Sequence, residues 1–360
     1  MIEIAMEGDH PRRTHATVLA LVLAVACTGL VGYLVSRPGS VPHAPSPPLQ
    51  SITPQPAPTP SAQPSADGFT VADDAATGQI VVYGGSAGTG GDTWLWNGSG
   101  WTLAAPAEQP PALYGASAVY DPVSRLVMLA GGGSFEAAGN DGTWSWDGET
   151  WHELDADISR APVAGGTLGW DPALQQMVLV TPASAGDNSS SQTWLWAGNH
   201  WIPKGGHAPF PANALQIAFD PSSDELVAMS CCLFSSSLTV AGDAQMWRWD
   251  GAAWHFIADT RLPPTIGVTF GLVWDASSHS LLLSGQASSP QTPLTPVLTW
   301  RLVNTELVAL RASGAPVVSG ASFIETDNGP RLVAADSSVE GSSTPYHLWA
   351  WTGAGWKQLG

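Results

Sequence analysis

Between Asp67 and Gly360 the chain is a run of short apolar segments separated by glycine, proline and small polar residues, the pattern of many short strands joined by tight turns. Two phrases recur in it. One is an apolar residue, an aspartate, a turn and an apolar strand: VYDPVSRLVMLAGGG (119–133), GWDPALQQMVLV (169–180), AFDPSSDELVAMS (218–230) and VWDASSHSLLLSG (273–285), with looser copies at 72–85 and 325–336. The other is a tryptophan hairpin: GDTWLWNGSGW (91–101), DGTWSWDGETW (141–151), SQTWLWAGNHW (191–201), AQMWRWDGAAW (244–254) and YHLWAWTGAGW (346–356), with a degraded copy, VLTWRLVNTEL, at 297–307. Sixteen of the 18 tryptophans fall in these six copies, so the hairpin is the repeating unit of the molecule and not a local motif. The aspartates at 74, 121, 171, 220, 275 and 327 are spaced by 47, 50, 49, 55 and 52 residues, which predicts six units of four strands each.

Within a unit, the first strand ends at a turn in which Asp can bond its own backbone and Pro presets φ. The second strand, Leu126 to Ala130 in the clearest copy, is apolar throughout and is expected to be covered on both faces. It runs into Gly131-Gly132-Gly133, where positive φ or close backbone approach is permitted. The hairpin loop Asp147 to Thr150 sets Trp146 opposite Trp151 with Trp144 on the same face, an apolar plate too large for one unit to bury alone. The next unit, stacked against it, is expected to cover it.

These features resemble the kelch family of β-propellers, including the galactose-oxidase-type central domain. The glycines ending the second strand correspond to Gly84-Gly85 and Gly131-Gly132, the third-strand aromatic to Trp96, Trp146, Trp196, Trp249 and Trp351, and the tryptophan opening the fourth strand to Trp101, Trp151, Trp201, Trp254 and Trp356. Thr181-Pro182, Cys231-Cys232, Leu302 and Leu307 depart from that pattern. The resemblance implies an all-β, six-bladed propeller over 67–360, with the scheme that closes the ring left open. A WD-repeat reading fits less well, because the period exceeds the usual 40–45 residues.

The segment before the propeller changes the picture of where it works. Residues 1–15 are mostly polar and include Arg12 and Arg13; residues 16–35 carry no charge over 20 positions, long enough to cross a bilayer as a helix, and Arg37 marks the far end. An uncleaved anchor over 16–36 accounts for the full apolar run, with the N-terminus cytoplasmic and the remainder extracellular. A cleaved signal peptide and lipidation at Cys27 are the competing readings. Residues 37–66 hold ten prolines and form an expected Pro-rich, extended linker or stalk.

Composition supports strands and turns, with 39 Gly, 30 Pro and only 12% charged residues. The net charge of −18 lies entirely within 38–360, a field that repels phosphate backbones and excludes nucleic acid as a partner. Cys231 and Cys232 are adjacent, compatible with a vicinal disulfide or with two buried thiols.

Candidate chemistry is sparse. Gly84 to Gly88 matches a nucleophile elbow in letters but leads into no helix. No pair of the nine histidines has metal-ligand spacing, and His152 and His255 read as strand surface residues. No catalytic, metal or cofactor residue is assigned. The expectation is a membrane-anchored, non-catalytic binding or interaction scaffold for a cell-envelope protein or glycan, with contacts from the loops Ser134–Asn140, Ser184–Ser190 and Gln286–Pro296. The alternative is a carbohydrate-active hydrolase or lyase using acidic residues at the propeller mouth.

Overall fold

A computed structural model describes residues 68–84, 91–134, 142–155, 166–184, 189–212, 215–230, 243–261, 269–286, 295–318, 321–335 and 346–359. The chain divides into two units, Met1–Gln55 and Pro56–Gly360, and every described residue belongs to the second. The expected anchor, stalk, Cys27, Cys231 and Cys232 lie outside the described residues. So do 135–140, 185–188 and 287–294, the greater part of the three expected contact loops. Among the described residues no helix is long and apolar enough to cross a membrane.

The second unit is all β, with six four-stranded antiparallel sheets. Blade 1 comprises β1 (Phe69–Asp74), β2 (Gln79–Gly84), β3 (Thr93–Trp96) and β4 (Trp101–Leu103); blade 2, β5 (Leu113–Asp121), β6 (Leu126–Ser134), β7 (Thr143–Trp146) and β8 (Trp151–Asp155). Blade 3 comprises β9 (Thr167–Asp171), β10 (Gln176–Pro182), β11 (Ser191–Trp196) and β12 (Trp201–Ala208); blade 4, β13 (Leu215–Asp220), β14 (Glu225–Ser230), β15 (Asp243–Trp249) and β16 (Trp254–Arg261). Blade 5 comprises β17 (Thr269–Asp275), β18 (Ser280–Gln286), β19 (Leu298–Val303) and β20 (Glu306–Leu310); blade 6, β21 (Ala321–Ile324), β22 (Arg331–Ala335), β23 (Tyr346–Trp351) and β24 (Trp356–Gln358). This is the six-bladed propeller that the repeat predicts. Each sheet takes its four strands consecutively, so no blade is completed by a strand from the other end of the chain.

The core is six separate clusters, one in each gap between neighbouring blades. Trp144, Trp146 and Trp151 of blade 2 pack on Ala72, Val81 and Tyr83 of blade 1, so the tryptophan plate is covered by the preceding blade, not the following one. Trp146 and Trp151 are cross-strand partners with ring centroids 5.4 Å apart, as the four-residue loop requires. The cluster joining Phe69, Val71 and Trp101 to Ile324, Tyr346 and Leu348 unites blades 1 and 6, which closes the ring without a shared strand.

A hydrogen bond repeats at these gaps. The indole N–H that opens the fourth strand donates to a threonine hydroxyl on the third strand of the preceding blade: Trp151 to Thr93 (2.9 Å), Trp201 to Thr143 (2.8 Å), Trp254 to Thr193 (2.9 Å) and Trp356 to Thr299 (3.0 Å). At the gap between blades 4 and 5 both partners change together, to Met246 and Leu307, and the contact becomes apolar. Where blade 1 meets blade 6 only one changes. Leu348 stands in the threonine position, and the buried Trp101 N–H has no hydrogen-bond partner among the described residues.

The turns after the first strands behave as expected. Asp74, Asp121, Asp171 and Asp275 are buried yet satisfied, their carboxylates accepting from backbone N–H two residues on at 3.1, 2.9, 3.0 and 3.1 Å. In blade 6 the capping residue is Thr326, not Asp327: its hydroxyl accepts from Asn328 N–H (3.2 Å) and donates to the Gly329 carbonyl (2.9 Å). The last strand pair there is Ile324↔Arg331, with a tight turn closed by the Gly329 N–H on the Thr326 carbonyl (2.8 Å), whereas in blade 5 Asp275 itself pairs with Ser280.

Candidate functional site: the mouth of the central cavity

The six first strands, β1, β5, β9, β13, β17 and β21, surround a cavity of about 850 Å³ on the propeller axis. Their crowding has a local cause. At Gly271 an added Cβ would lie 2.5 Å from the Phe323 ring of the next blade, so only glycine lets these two strands approach.

Because the strands run in common register, the cavity wall is layered. At the mouth, the residue before the capping position contributes Asp73, Tyr120, Trp170, Phe219, Trp274 and Glu325, one from each blade. Four aromatics are thus followed round the ring by two carboxylates on adjacent blades. Below them come Val71, Ala118, Leu168, Ile217, Leu272 and Phe323, an apolar waist. Lower still, Thr70, Ser117, Thr167, Gln216 and Ser322 form an uncharged polar layer, with Gly271 in the sixth place.

The polar layer is only partly used by the fold. Ser117 Oγ accepts from Leu168 N–H (3.0 Å) and Thr167 Oγ1 donates to the Leu215 carbonyl (3.3 Å), stitching neighbouring blades. Thr70, Gln216 and Ser322 line the cavity with no hydrogen-bond partner among the described residues, and Thr70 is more than nine-tenths buried. These side chains leave hydrogen-bonding capacity facing the cavity, which a ligand hydroxyl entering it would use.

The two mouth carboxylates occupy different surroundings. Glu325 is open to the cavity but enclosed by protein, and this desolvation pushes its pKa up to about 7, offset in part by the Trp274 backbone. Asp73 rises to about 6, through desolvation first and then the negative charges of Asp327 and Asp74, with Arg331 opposing. Arg331 Nη1 is itself directed to the carbonyls of Asn328, Gly329 and Pro330, at 2.9, 3.2 and 3.2 Å. No lysine or arginine is among the described residues lining the cavity.

His152 and His255 lie on the outer hairpins, as expected, exposed and bonded to Asp147 (2.9 Å) and Asp250 (2.7 Å). Among the described residues no three His, Cys, Asp or Glu side chains are placed to hold a metal ion. The cavity layers were not anticipated from the sequence, although the signal is there. Aligning the aspartate turns puts Asp73, Tyr120, Trp170, Phe219 and Trp274 in one column, and Glu325 joins it once blade 6 is capped at Thr326.

No family model and no curated protein sequence matches the chain. Solved structures do match in fold. They include the fungal lectin of Aleuria aurantia, described as a six-bladed β-propeller with a novel fucose recognition mode, at 11% identity and a TM-score of 0.55 over 81% of this chain and 94% of that one. AofleA from Arthrobotrys oligospora matches at 14% identity and a TM-score of 0.54, over 81% of this chain and 85% of that one. SapL1 lectin, solved with α-methyl fucoside, matches at 15% identity and a TM-score of 0.56, over 82% and 96%. At such identities the likeness shows the fold.

Proposed function

We propose that the protein is a non-catalytic, glycan-binding propeller of the kelch type, held outside the cell on a proline-rich stalk by an anchor at 16–36, with the mouth of the central cavity as its ligand seat. The observation that carries the reading is the unspent polar layer, Thr70, Gln216 and Ser322, beneath a rim of Tyr120, Trp170, Phe219 and Trp274. A sugar presents both chemistries, hydroxyls for the first and apolar ring faces for the second. The fucose-binding lectins among the structural neighbours show that a propeller of this size can serve such a role. The uncharged run at 16–35 supports the anchor, and the glycines, third-strand aromatics and fourth-strand tryptophans support the kelch type. The test is binding of the full chain, in detergent, to a panel of neutral, acidic and amino glycans. Saturable binding that weakens in Thr70→Val and Trp170→Ala is expected, and a panel with no bound member overturns the reading.

A second reading is favoured by one specific feature. Asp73 and Glu325 bring two proton-holding carboxylates to one cavity mouth, the kind of pair that glycoside hydrolysis uses. Release of reducing ends from a bound oligosaccharide, abolished by Glu325→Gln, would establish catalysis; binding without turnover keeps the first reading.

A further inference from the structure

We propose that the cavity mouth selects a ligand bearing a positively charged amine, an amino sugar being the form consistent with the glycan-binding reading on which this inference rests. The charges at the mouth are unbalanced. Asp73, Glu325 and Asp327 all line it, against the nearby cation Arg331, whose Nη1 is bonded to three turn carbonyls and whose charge acts on Asp73. The imbalance is not the diffuse acidity of the outer surface, where a charge sits in water at little cost. It is concentrated on two adjacent blades at the cavity mouth, where the protein around Asp73 and Glu325 desolvates their carboxylates and a bound cation relieves that cost.

Two further observations point to a ligand and to its orientation. Thr70, on the same strand as Asp73 and three residues before it, is more than nine-tenths buried, lines the cavity and has no hydrogen-bond partner among the described residues. It offers a hydroxyl to the body of a ligand whose charged group sits at the rim. The remaining rim positions are aromatic, and aromatic faces attract ammonium groups where neutral polar residues would not. The opposite layer carries no charge. An amine-bearing sugar therefore has one favourable direction: the ammonium between Asp73 and Glu325, the ring against the aromatic arc, and the hydroxyls toward Thr70 and Gln216.

The experiment compares a glucosamine trisaccharide with its N-acetylated counterpart by calorimetric titration of the full chain in detergent. The amine form is expected to bind on the order of tenfold more tightly. That preference should disappear in the Asp73→Asn, Glu325→Gln double variant, whose melting temperature confirms that it is folded. On the unmodified chain, added salt should weaken the amine form selectively. Equal affinities, or binding of the amine form that is insensitive to salt, overturn the inference while leaving the glycan reading standing. A preference that survives in the folded double variant also overturns it, because the amine is then recognised elsewhere. If neither trisaccharide nor any member of the glycan panel binds, both fall.

Discussion

At the residue scale, the molecule turns on side chains whose hydrogen-bonding capacity is either spent or left over. Trp151 spends its N–H on Thr93 across a blade gap, and Thr93→Val is expected to lower unfolding free energy by about 1–2 kcal/mol, measured by denaturant titration. Trp101 has the same position and no partner among the described residues. Leu348→Thr should therefore stabilise the chain by about 1 kcal/mol; a destabilisation would show that packing of Leu348 outweighs the orphaned N–H. Leftover capacity at the cavity has a pH signature. Asp73 and Glu325 hold their protons more tightly folded than unfolded, so the folded chain carries extra protons between the usual carboxylate range and about 6 or about 7. Stability from these groups falls as pH rises through that window and is level above it. Glu325→Gln should raise the melting temperature more at pH ~8 than at pH ~5, and an equal change at both would contradict the assigned environment.

At the element scale, each unit is a first strand that meets the axis, a second strand buried on both faces, and a hairpin that closes on the preceding blade. Glycines with positive φ serve both the hairpin turns and the glycine run of the second strand, at different cost. Gly131 has φ +72 and its absent Cβ would lie 3.1 Å from Gly166 N, whereas Gly78, at φ +70, has open space around it. Ala at position 78 should cost about 1 kcal/mol from the left-handed backbone alone, and Ala at position 131 should cost more. Equal costs would mean that blades 2 and 3 are not pressed together there. The sequence made these elements legible because strand period, aspartate turns and paired tryptophans are local signals that repeat. It did not reveal the direction in which the tryptophans pack, since Trp144 to Trp151 look the same whether the preceding or the following blade covers them. Nor did it reveal Thr326 as a cap, because a neighbouring aspartate at 327 completed the apparent series and the turn closed by the Gly329 N–H on the Thr326 carbonyl is visible only in the structure. The cavity layers were harder still: Thr70, Asp73 and Glu325 are ordinary residues in their own strands and form a site only when six strands meet at one axis.

At the scale of the whole molecule, the ring is held shut by packing between blades 6 and 1 and by no shared strand. Tyr346 carries much of that closure. Its ring is buried against Phe69 and Trp101, at 5.2 and 5.6 Å, and its hydroxyl donates to the Gly84 carbonyl at 3.2 Å. Tyr346→Phe should cost about 1 kcal/mol, and Tyr346→Ala about 3–5 kcal/mol with early exposure of Trp101 during denaturation. A closed ring is what keeps the six mouth residues in register, so closure and binding should fail together.

The measurement that bears most directly on the central claim is amide hydrogen exchange on the full chain with and without a saturating glycan taken from the panel. Added protection is expected at the ends of the six first strands and their turns, around Asp73, Tyr120, Trp170, Phe219, Trp274 and Glu325, with the outer hairpins unchanged. Protection confined to the outer hairpins, such as those carrying His152 and His255, with the first strands unaltered, would contradict it.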